Sequence, residues 1–120
     1  MPHVIMEGSI DLPALHRTVS PALEQTSDGL RRLRNAFLDS RGTTLLLDTL
    51  VVEGGVSRSF FVRVDRKAPD RCSVRLEPMV PVDRTRGVIG AVAWVGRLIR
   101  DRCPEAVFGV TNIEELKGGA

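Results

Sequence analysis

The stretch TTLLLDTLVVEGGVSRSFFVRVDR, residues 43–66, contributes more than any other to deciding the fold. Most of its first ten residues are β-branched or leucine, and the Glu-Gly-Gly that follows supplies turn chemistry. In the second run, Phe60, Val62 and Val64 fall on one face of a strand, because side chains alternate along a strand. The residues between them, including Arg63, fall on the other face. This stretch therefore predicts a β-hairpin with one buried face.

Upstream of the hairpin, the sequence predicts a short strand followed by a helix. Residues 2–8 are rich in β-forming residues and stop at a glycine. Asp11 can cap a helix whose first turn contains Pro13, where the missing N–H of proline costs nothing. Leucine and valine then recur at helical spacing over residues 12–23, with Pro21 as a kink or break. A second helical piece is predicted from the spacing of the apolar residues over 30–37.

Downstream of the hairpin, three further elements are predicted. Residues from Cys72 to Val80, which alternate at Cys72, Val74 and Leu76, indicate a short strand before Pro81. Asp83 is the predicted cap of the clearest helix, which has one apolar face and ends at Pro104. Residues 106–113 indicate a closing strand.

The predicted order of elements is β-α-β-β-α-β, within a single domain over residues 1–120. Such an order is typical of an α+β domain with helices on one face of a mixed sheet. The other sheet face is then left bare. Because apolar residues occupy both faces, we expect this bare face to be buried by self-association.

The composition argues against several classes of function. Hydrophobic residues make up 42% and charged residues 27% of the chain, as in an ordinary globular domain. No stretch approaches the roughly 20 apolar residues that a membrane helix needs, and the N-terminus does not resemble a secretion signal. We therefore expect a cytoplasmic protein with no membrane partner. A net charge of +2 and an aromatic content of 4% argue against a nucleic-acid partner.

The cysteines do not predict a metal site. Cys72 and Cys103 lack CxxC spacing, and no histidine near them completes a set of ligands. They are interpreted as reduced, structural thiols. A disulfide would require the fold to bring the two together.

Pro2 is the residue with the clearest chemical potential. Removal of Met1 would leave a secondary amine at the start of a strand, where an apolar pocket would lower its pKa toward neutrality. A base of that kind suits proton abstraction next to a carbonyl group. The alternative is a proline that only permits removal of the methionine. If Met1 is retained, Pro2 has no free amine.

Three pieces of the sequence carry a resemblance to a known family. They are MPHVIMEGSIDLPALHRTVSPALEQ at the start, RGTTLLLDTLVVEGG with SFFVRVDRKAPDR in the middle, and NIEEL near the end. In this order they resemble 5-carboxymethyl-2-hydroxymuconate isomerase of the tautomerase superfamily. Residues 72–82 appear as an insertion relative to that family.

The resemblance implies a tautomerase-like fold, a homotrimer and a role in aromatic catabolism. It also implies an isomerase that acts on an unsaturated keto or hydroxy dicarboxylic acid, with no metal and no organic cofactor. Pro2 would be the general base. Arg41, found by counting back from Asp48-Thr49, would be the catalytic arginine, whose fork of donors can hold a carboxylate or a developing enolate.

Three further residues are candidates for binding an acidic substrate. His3 begins the same strand as Pro2, although its side chain should point to the opposite face. Arg63 lies on the polar face of its strand, and Arg71 follows in the next turn, so both are candidate anion contacts. Two alternatives to the isomerase stay open. One is a different proline-dependent reaction, such as decarboxylation or hydration, and the other is a non-catalytic oligomeric protein.

Overall fold

A computed structural model describes residues 1–119 of the chain. It contains seven strands, two α-helices and one 3₁₀-helix. The strands are β1 His3–Glu7, β2 Ala22–Thr26, β3 Gly29–Leu38, β4 Thr44–Glu53, β5 Val56–Ala68, β6 Arg71–Leu76 and β7 Val107–Thr111. The helices are α1 Leu12–Thr18 and α2 Arg86–Arg102, and the 3₁₀-helix covers Glu114–Gly119.

All seven strands form one sheet in the order β2-β3-β4-β5-β6-β1-β7, and every neighbouring pair is antiparallel. The predicted tautomerase-like β-α-β-β-α-β arrangement with helices on one face of a mixed sheet is therefore wrong. The main cause lies in residues 22–38, which form the hairpin β2–β3 where helical structure was predicted.

A β-bulge explains why β3 was mistaken for a helix. The register of β3 against β4 shifts between Leu33 and Asn35, so two residues of β3 oppose one residue of β4. Leu33 is fully buried, whereas Phe37 is 53% exposed on the other side of the sheet. The extra residue breaks the strand alternation, and the apolar residues acquire spacings of three and four that imitate a helix.

The central hairpin β4–β5 is confirmed, with a two-residue turn at Gly54 and Gly55 that both have positive φ angles of 58° and 77°. This conformation suits the twist of the flanking strands and favours glycine at both positions. The strand β6 is also confirmed.

Both helix starts contain a capping side chain. Asp11 caps α1 as predicted, since its Oδ1 accepts a hydrogen bond of 3.0 Å from the backbone N–H of Ala14. The helix ends at Thr18, so its predicted extension to residue 23 is wrong. In α2 the cap is Thr85 rather than Asp83, because Thr85 Oγ1 accepts from the N–H of Val88.

Alternation along the strands defines two faces of the sheet. Leu45, Leu47 and Val51 of β4 are buried in the core that α2 covers, whereas Leu46 and Leu50 are half-buried on the opposite face. We call this opposite face of β1–β6 the open face. In the region that the structure describes, neither helix is long and apolar enough to cross a membrane.

Candidate functional site

Pro2 and Arg41 lie far from each other. Pro2 directly precedes β1. The strand pairings place the next residue, His3, at the same level of the sheet as Leu46 of β4. Arg41 is exposed in the turn before β4, five positions before Leu46 in the chain. Strands β6 and β5 separate β1 from β4, which amounts to about 14 Å at the usual strand spacing. The structure does not bring the two predicted catalytic residues together within one chain.

A clamp at the start of β1 holds the segment that contains Pro2. The Asn112 side chain accepts from the His3 N–H at 2.9 Å and donates to the Met1 carbonyl oxygen at 2.8 Å. The ring Nδ1 of His3 lies 3.1 Å from the same carbonyl oxygen. Pro2 itself is buried, and its nitrogen is part of the peptide bond to Met1. A free amine at Pro2 would require loss of Met1 and of these contacts to its carbonyl.

The predicted substrate contacts His3 and Arg63 lie at the same level of the sheet on the open face. Arg75 of β6 pairs with both residues and lies between them. Arg71 lies opposite Glu7, farther along the same strand as Arg75, and is exposed. Two of the three predicted contacts, His3 and Arg63, therefore lie near each other, and Arg71 lies apart from them.

The donors of Arg63 are occupied by two buried carboxylates. Its Nε lies 2.8 Å from Asp65 Oδ2, and its Nη1 lies 2.8 Å from Glu77 Oε2. Both acidic residues are only 6% exposed. Asp65 also accepts from Thr44 Oγ1 at 2.9 Å and from Arg75 Nη2 at 3.3 Å. We call Arg63, Asp65, Arg75 and Glu77 the arginine–carboxylate cluster.

Both carboxylates of this cluster stay ionised at neutral pH. Burial raises the pKa of Asp65, but hydrogen bonds from Arg63 and Thr44 outweigh burial and the net pKa lies below its ordinary value. The hydrogen bond from Arg63 is the main reason that the pKa of Glu77 is lowered as well. Neither group is poised to exchange a proton near pH 7. The positive and negative charges of the cluster balance each other. This arrangement suits a structural role better than acid–base catalysis.

A cleft of about 480 Å³ lies on the other side of the sheet, between the β2–β3 turn, strands β3 and β4, and the start of α2. Val51 contributes an apolar side chain to the cleft, whereas the side chains of the paired residues Leu30 and Val52 alternate onto the open face. Its charged lining consists of Asp28, Arg31, Glu53, Arg86 and Glu115.

Arg31 forms a fixed wall of this cleft. Its guanidinium carbon lies 5.5 Å from the centroid of the Trp94 ring, and its Nε donates to Glu24 at 3.1 Å. Its Nη1 donates to the carbonyl oxygen of Gly90 at 3.3 Å. A Cβ at Gly90 would lie 3.2 Å from Arg31 Nη1, so glycine allows this close approach.

Glu53 occupies the start of α2. Its carboxylate accepts from the Gly87 N–H at 2.8 Å, from the Thr85 hydroxyl, and from Arg58 Nη1 at 3.2 Å. The hydrogen bond from Thr85 is the main reason that the pKa of Glu53 is lowered. The carboxylate of Glu53 already accepts the hydrogen bond from the Gly87 N–H. The start of α2 therefore has little capacity to bind another anion.

Two charged side chains of the cleft form no hydrogen bond or ion pair within residues 1–119, although the charge of Arg86 contributes to the lowered pKa of Glu53. Glu115 is paired with Arg97 at 2.8 Å, and Arg31 is paired with Glu24. By contrast, the side chains of Arg86 and Asp28 form no hydrogen bond or ion pair with any residue from 1 to 119. The cleft therefore presents one available cation and one available anion, on α2 and on the β2–β3 turn.

Sequence reasoning missed the cleft residues. Glu53 belongs to the predicted Glu-Gly-Gly turn and Arg86 to the predicted helix that ends at Pro104, and neither position indicates a binding role. No spacing signal connects them, because four separate segments supply the lining. Among the described residues, no group of three or more His, Cys, Asp or Glu side chains could hold a metal ion. Comparisons with models of protein families, with curated proteins and with solved structures found no match.

Proposed function

We propose that this chain binds a small zwitterionic molecule, of the size of an amino acid or dipeptide, in the cleft at the start of α2. The observation that supports this most directly is the pair of available charges. Arg86 offers a cation and Asp28 an anion on two walls of the same cleft, and neither side chain has an ion-pair partner in the described chain.

The size and lining of the cleft agree with such a ligand. A volume of about 480 Å³ lies within the range of ligand-binding clefts in proteins. Val51 can contact the apolar part of a ligand, while the charged groups at the rim orient its ends.

Arg86 is the partner for the carboxylate of the ligand. Guanidinium groups bind carboxylates through two parallel hydrogen bonds, which fixes orientation as well as charge. Glu53 already fills the helix start, and Arg31 is already engaged by Glu24 and Gly90. Asp28 is then the partner for an ammonium group.

Binding through these groups should be modest in strength. Arg86 and Asp28 are both exposed, and an exposed ion pair contributes up to about 1 kcal/mol. We therefore expect dissociation constants on the order of 0.1 to 1 mM.

This proposal keeps a small-molecule partner with a carboxylate, but it replaces the dicarboxylic acid predicted from the sequence with a zwitterion and moves it to another place. Neither Pro2 nor Arg41 lines the cleft. Isomerase activity at Pro2 stays a separate prediction, and the binding proposed here does not depend on it.

The test is a titration monitored by NMR of the backbone amides, with alanyl-leucine and its two blocked forms. N-acetylation removes the cation of the dipeptide, and amidation of its C-terminus removes the anion. We expect alanyl-leucine to shift the amides of residues 28–31 and 86–90, and each blocked form to bind several-fold more weakly.

Two variants identify which wall binds which charge. In Arg86→Gln the free and amidated dipeptides should bind equally, and in Asp28→Asn the free and acetylated dipeptides should bind equally. Arg84→Gln removes the same charge two residues away, outside the cleft, and should behave as the wild type. Equal binding of all three peptides by the wild type, or no shifts at these amides, would exclude the proposal.

A further inference from the structure

One carboxylate oxygen of Glu115 is unused and lies over the part of α2 that borders the cleft. Glu115 accepts the hydrogen bond from Arg97 Nη1 with Oε2, at 2.8 Å. Its Oε1 accepts no hydrogen bond from any residue between 1 and 119. A Cβ added at Gly90, which lines the cleft, would lie 3.7 Å from this Oε1. The cleft therefore contains a second acceptor for a cation, besides Asp28.

Glu115 can accept a second partner without losing the first. A carboxylate accepts hydrogen bonds on both of its oxygens, and Arg97 uses only Oε2. The side chains of Glu115 and Arg97 are 46% and 29% exposed, so their ion pair is weak and does not neutralise Glu115 fully. Arg97 itself does not line the cleft. An ammonium group in the cleft can therefore bind Oε1 while Arg97 keeps its contact with Oε2.

The surface that a ligand contacts has one more carboxylate than guanidinium groups. The charged groups of the lining are Asp28, Glu53, Glu115, Arg31 and Arg86. Three further residues pair with them from outside the lining, namely Glu24 with Arg31, Arg58 with Glu53 and Arg97 with Glu115. A zwitterion bound by Arg86 and Asp28 leaves Glu115 Oε1 as an acceptor without a donor. A ligand with one additional positive charge would use it.

The lining favours a charged ligand side chain over an apolar one. Among the described residues, only Val51 contributes a large apolar side chain to the cleft. The start of α2 contributes Gly87 and Gly90, which have no side chains. An apolar ligand side chain therefore buries little area here and gains little. An ammonium group at the end of that side chain would gain a charge-assisted hydrogen bond.

The spacing along α2 suits a lysine side chain. Arg86 and Gly90 are four residues apart in the helix, which corresponds to about 6 Å along its axis. Lysine carries its ammonium group on a flexible four-carbon stem. This stem can extend from a carboxylate held by Arg86 to the Glu115 oxygen above Gly90.

We propose that the ligand of this cleft has a cationic side chain and that Glu115 Oε1 binds its ammonium group. This inference rests on the proposed binding of a zwitterion, in which Arg86 binds the carboxylate and Asp28 the α-ammonium group. The ligand is then an amino acid or dipeptide that contains lysine. Glu115 determines specificity, whereas Arg86 and Asp28 bind any zwitterion that fits.

The experiment is an NMR titration of the full chain with alanyl-lysine and with the same dipeptide acetylated on its side-chain amine. Acetylation removes the charge but keeps the four-carbon stem. We expect alanyl-lysine to bind about threefold to fivefold more tightly than the acetylated form, the contribution of an exposed ion pair. It should also shift the amides of residues 114–117 further.

Three variants test the role of Glu115, each checked for folding by circular dichroism. Glu115→Gln should abolish the preference for alanyl-lysine. The matched control Glu114→Gln removes a charge one residue away, on a side chain that is 87% exposed and outside the cleft, and should keep the preference. Arg97→Gln removes the competing cation and should increase the preference, which tests the proposal even if Glu115→Gln does not fold.

Three results would overturn this inference. If alanyl-leucine and both lysine dipeptides bind equally, the cleft binds a zwitterion but Glu115 does not select its side chain. If none of the three shifts an amide of the cleft, the binding of a zwitterion is wrong as well. A preference that folded Glu115→Gln retains, or that Glu114→Gln loses to the same extent, would exclude Glu115 as its source.

Discussion

Two regions of this molecule keep buried or half-buried acidic groups ionised, and they do so in different ways. At the start of α2, Glu53 is held mainly by neutral donors, the Thr85 hydroxyl and the Gly87 N–H, with Arg58 at 3.2 Å. On the open face, Asp65 and Glu77 are held mainly by Arg63. The pKa of each of these three carboxyls is lowered, yet the cost of disturbing the two regions should differ.

The difference lies in what remains when one partner is removed. Loss of Glu53 leaves neutral donors that water can reach, because the Glu53 side chain is 20% exposed. Loss of Arg63 leaves Glu77, whose side chain is 7% exposed, without an ion-pair partner among the described residues, and leaves Asp65, 8% exposed, with Arg75 at 3.3 Å and Lys67 at 4.0 Å. An unpaired buried charge costs far more than an unpaired neutral donor.

The largest expected effect is that of Arg63→Leu. It removes the guanidinium between Asp65 and Glu77 while keeping an apolar side chain, and we expect a loss of about 3 kcal/mol in the free energy of unfolding. Urea denaturation followed by circular dichroism measures this loss.

The control for Arg63→Leu is Arg32→Leu, at an exposed position of the same sheet face with no hydrogen bond to any described residue. It should change the free energy of unfolding by no more than about 0.5 kcal/mol. Equal effects of the two substitutions would mean that the arginine–carboxylate cluster does not stabilise the fold.

A smaller effect is expected at the start of α2. Glu53→Ala removes the acceptor for Thr85 and Gly87 and should lower the free energy of unfolding by about 1 to 2 kcal/mol. Glu53→Gln keeps an acceptor oxygen and should recover at least half of that loss. If both variants lose the same amount, the charge of Glu53 rather than its hydrogen bonding stabilises the helix start.

The pH dependence sharpens the same comparison. A carboxyl whose pKa is lower in the folded state stabilises the protein above its ordinary pKa of about 4, and this stabilisation is lost as pH falls through the folded-state pKa. Urea midpoints measured between pH 7 and pH 3 should therefore fall in the wild type. The fall should be shallower in Glu53→Gln, and the two curves should converge at the acidic end. Parallel curves would show that Glu53 does not contribute to this dependence.

The smallest expected effect on stability is that of Gly90→Ala. Alanine favours a helix over glycine by about 1 kcal/mol, but the new Cβ would lie 3.2 Å from Arg31 Nη1 and displace the guanidinium. These terms nearly cancel, so the urea midpoint should hardly move. Binding of alanyl-leucine should still weaken, because the wall of the cleft shifts. An unchanged affinity would argue against Arg31 as part of the site.

Local features of the fold could be predicted from the sequence, whereas the pairing of strands that are distant in the chain could not. The Gly54-Gly55 turn, the Asp11 cap and the apolar face of α2 each depend on residues close together in the chain. The prediction for β3 was wrong because of the bulge at Leu33–Asn35, where one extra residue changes the spacing of the apolar side chains. The position of β1 between β6 and β7 depends on contacts that no local pattern encodes.

The candidate site was harder to predict than the fold. The sequence placed Arg63 on a polar face, as the structure does, but gave no indication that its donors are used by Asp65 and Glu77. Arg86 and Asp28 lie 58 positions apart in the sequence and meet only because the β2–β3 turn and the start of α2 border one cleft. Whether a charged side chain is free to bind a ligand depends on the residues around it, and these are known only from the folded structure.

The position of β1 also governs the order in which the sheet can be completed during synthesis. Strands β2 to β5 each pair with the next strand in the chain, so the meander β2–β6 can form as it leaves the ribosome. β1 emerges first but pairs only with β6 and β7, and the Asn112 clamp joins it to a residue 109 positions later. Such distant contacts form slowly. Until β7 is made, the nascent chain leaves an edge of β1 unpaired, and this edge is where a chaperone or another nascent chain would bind.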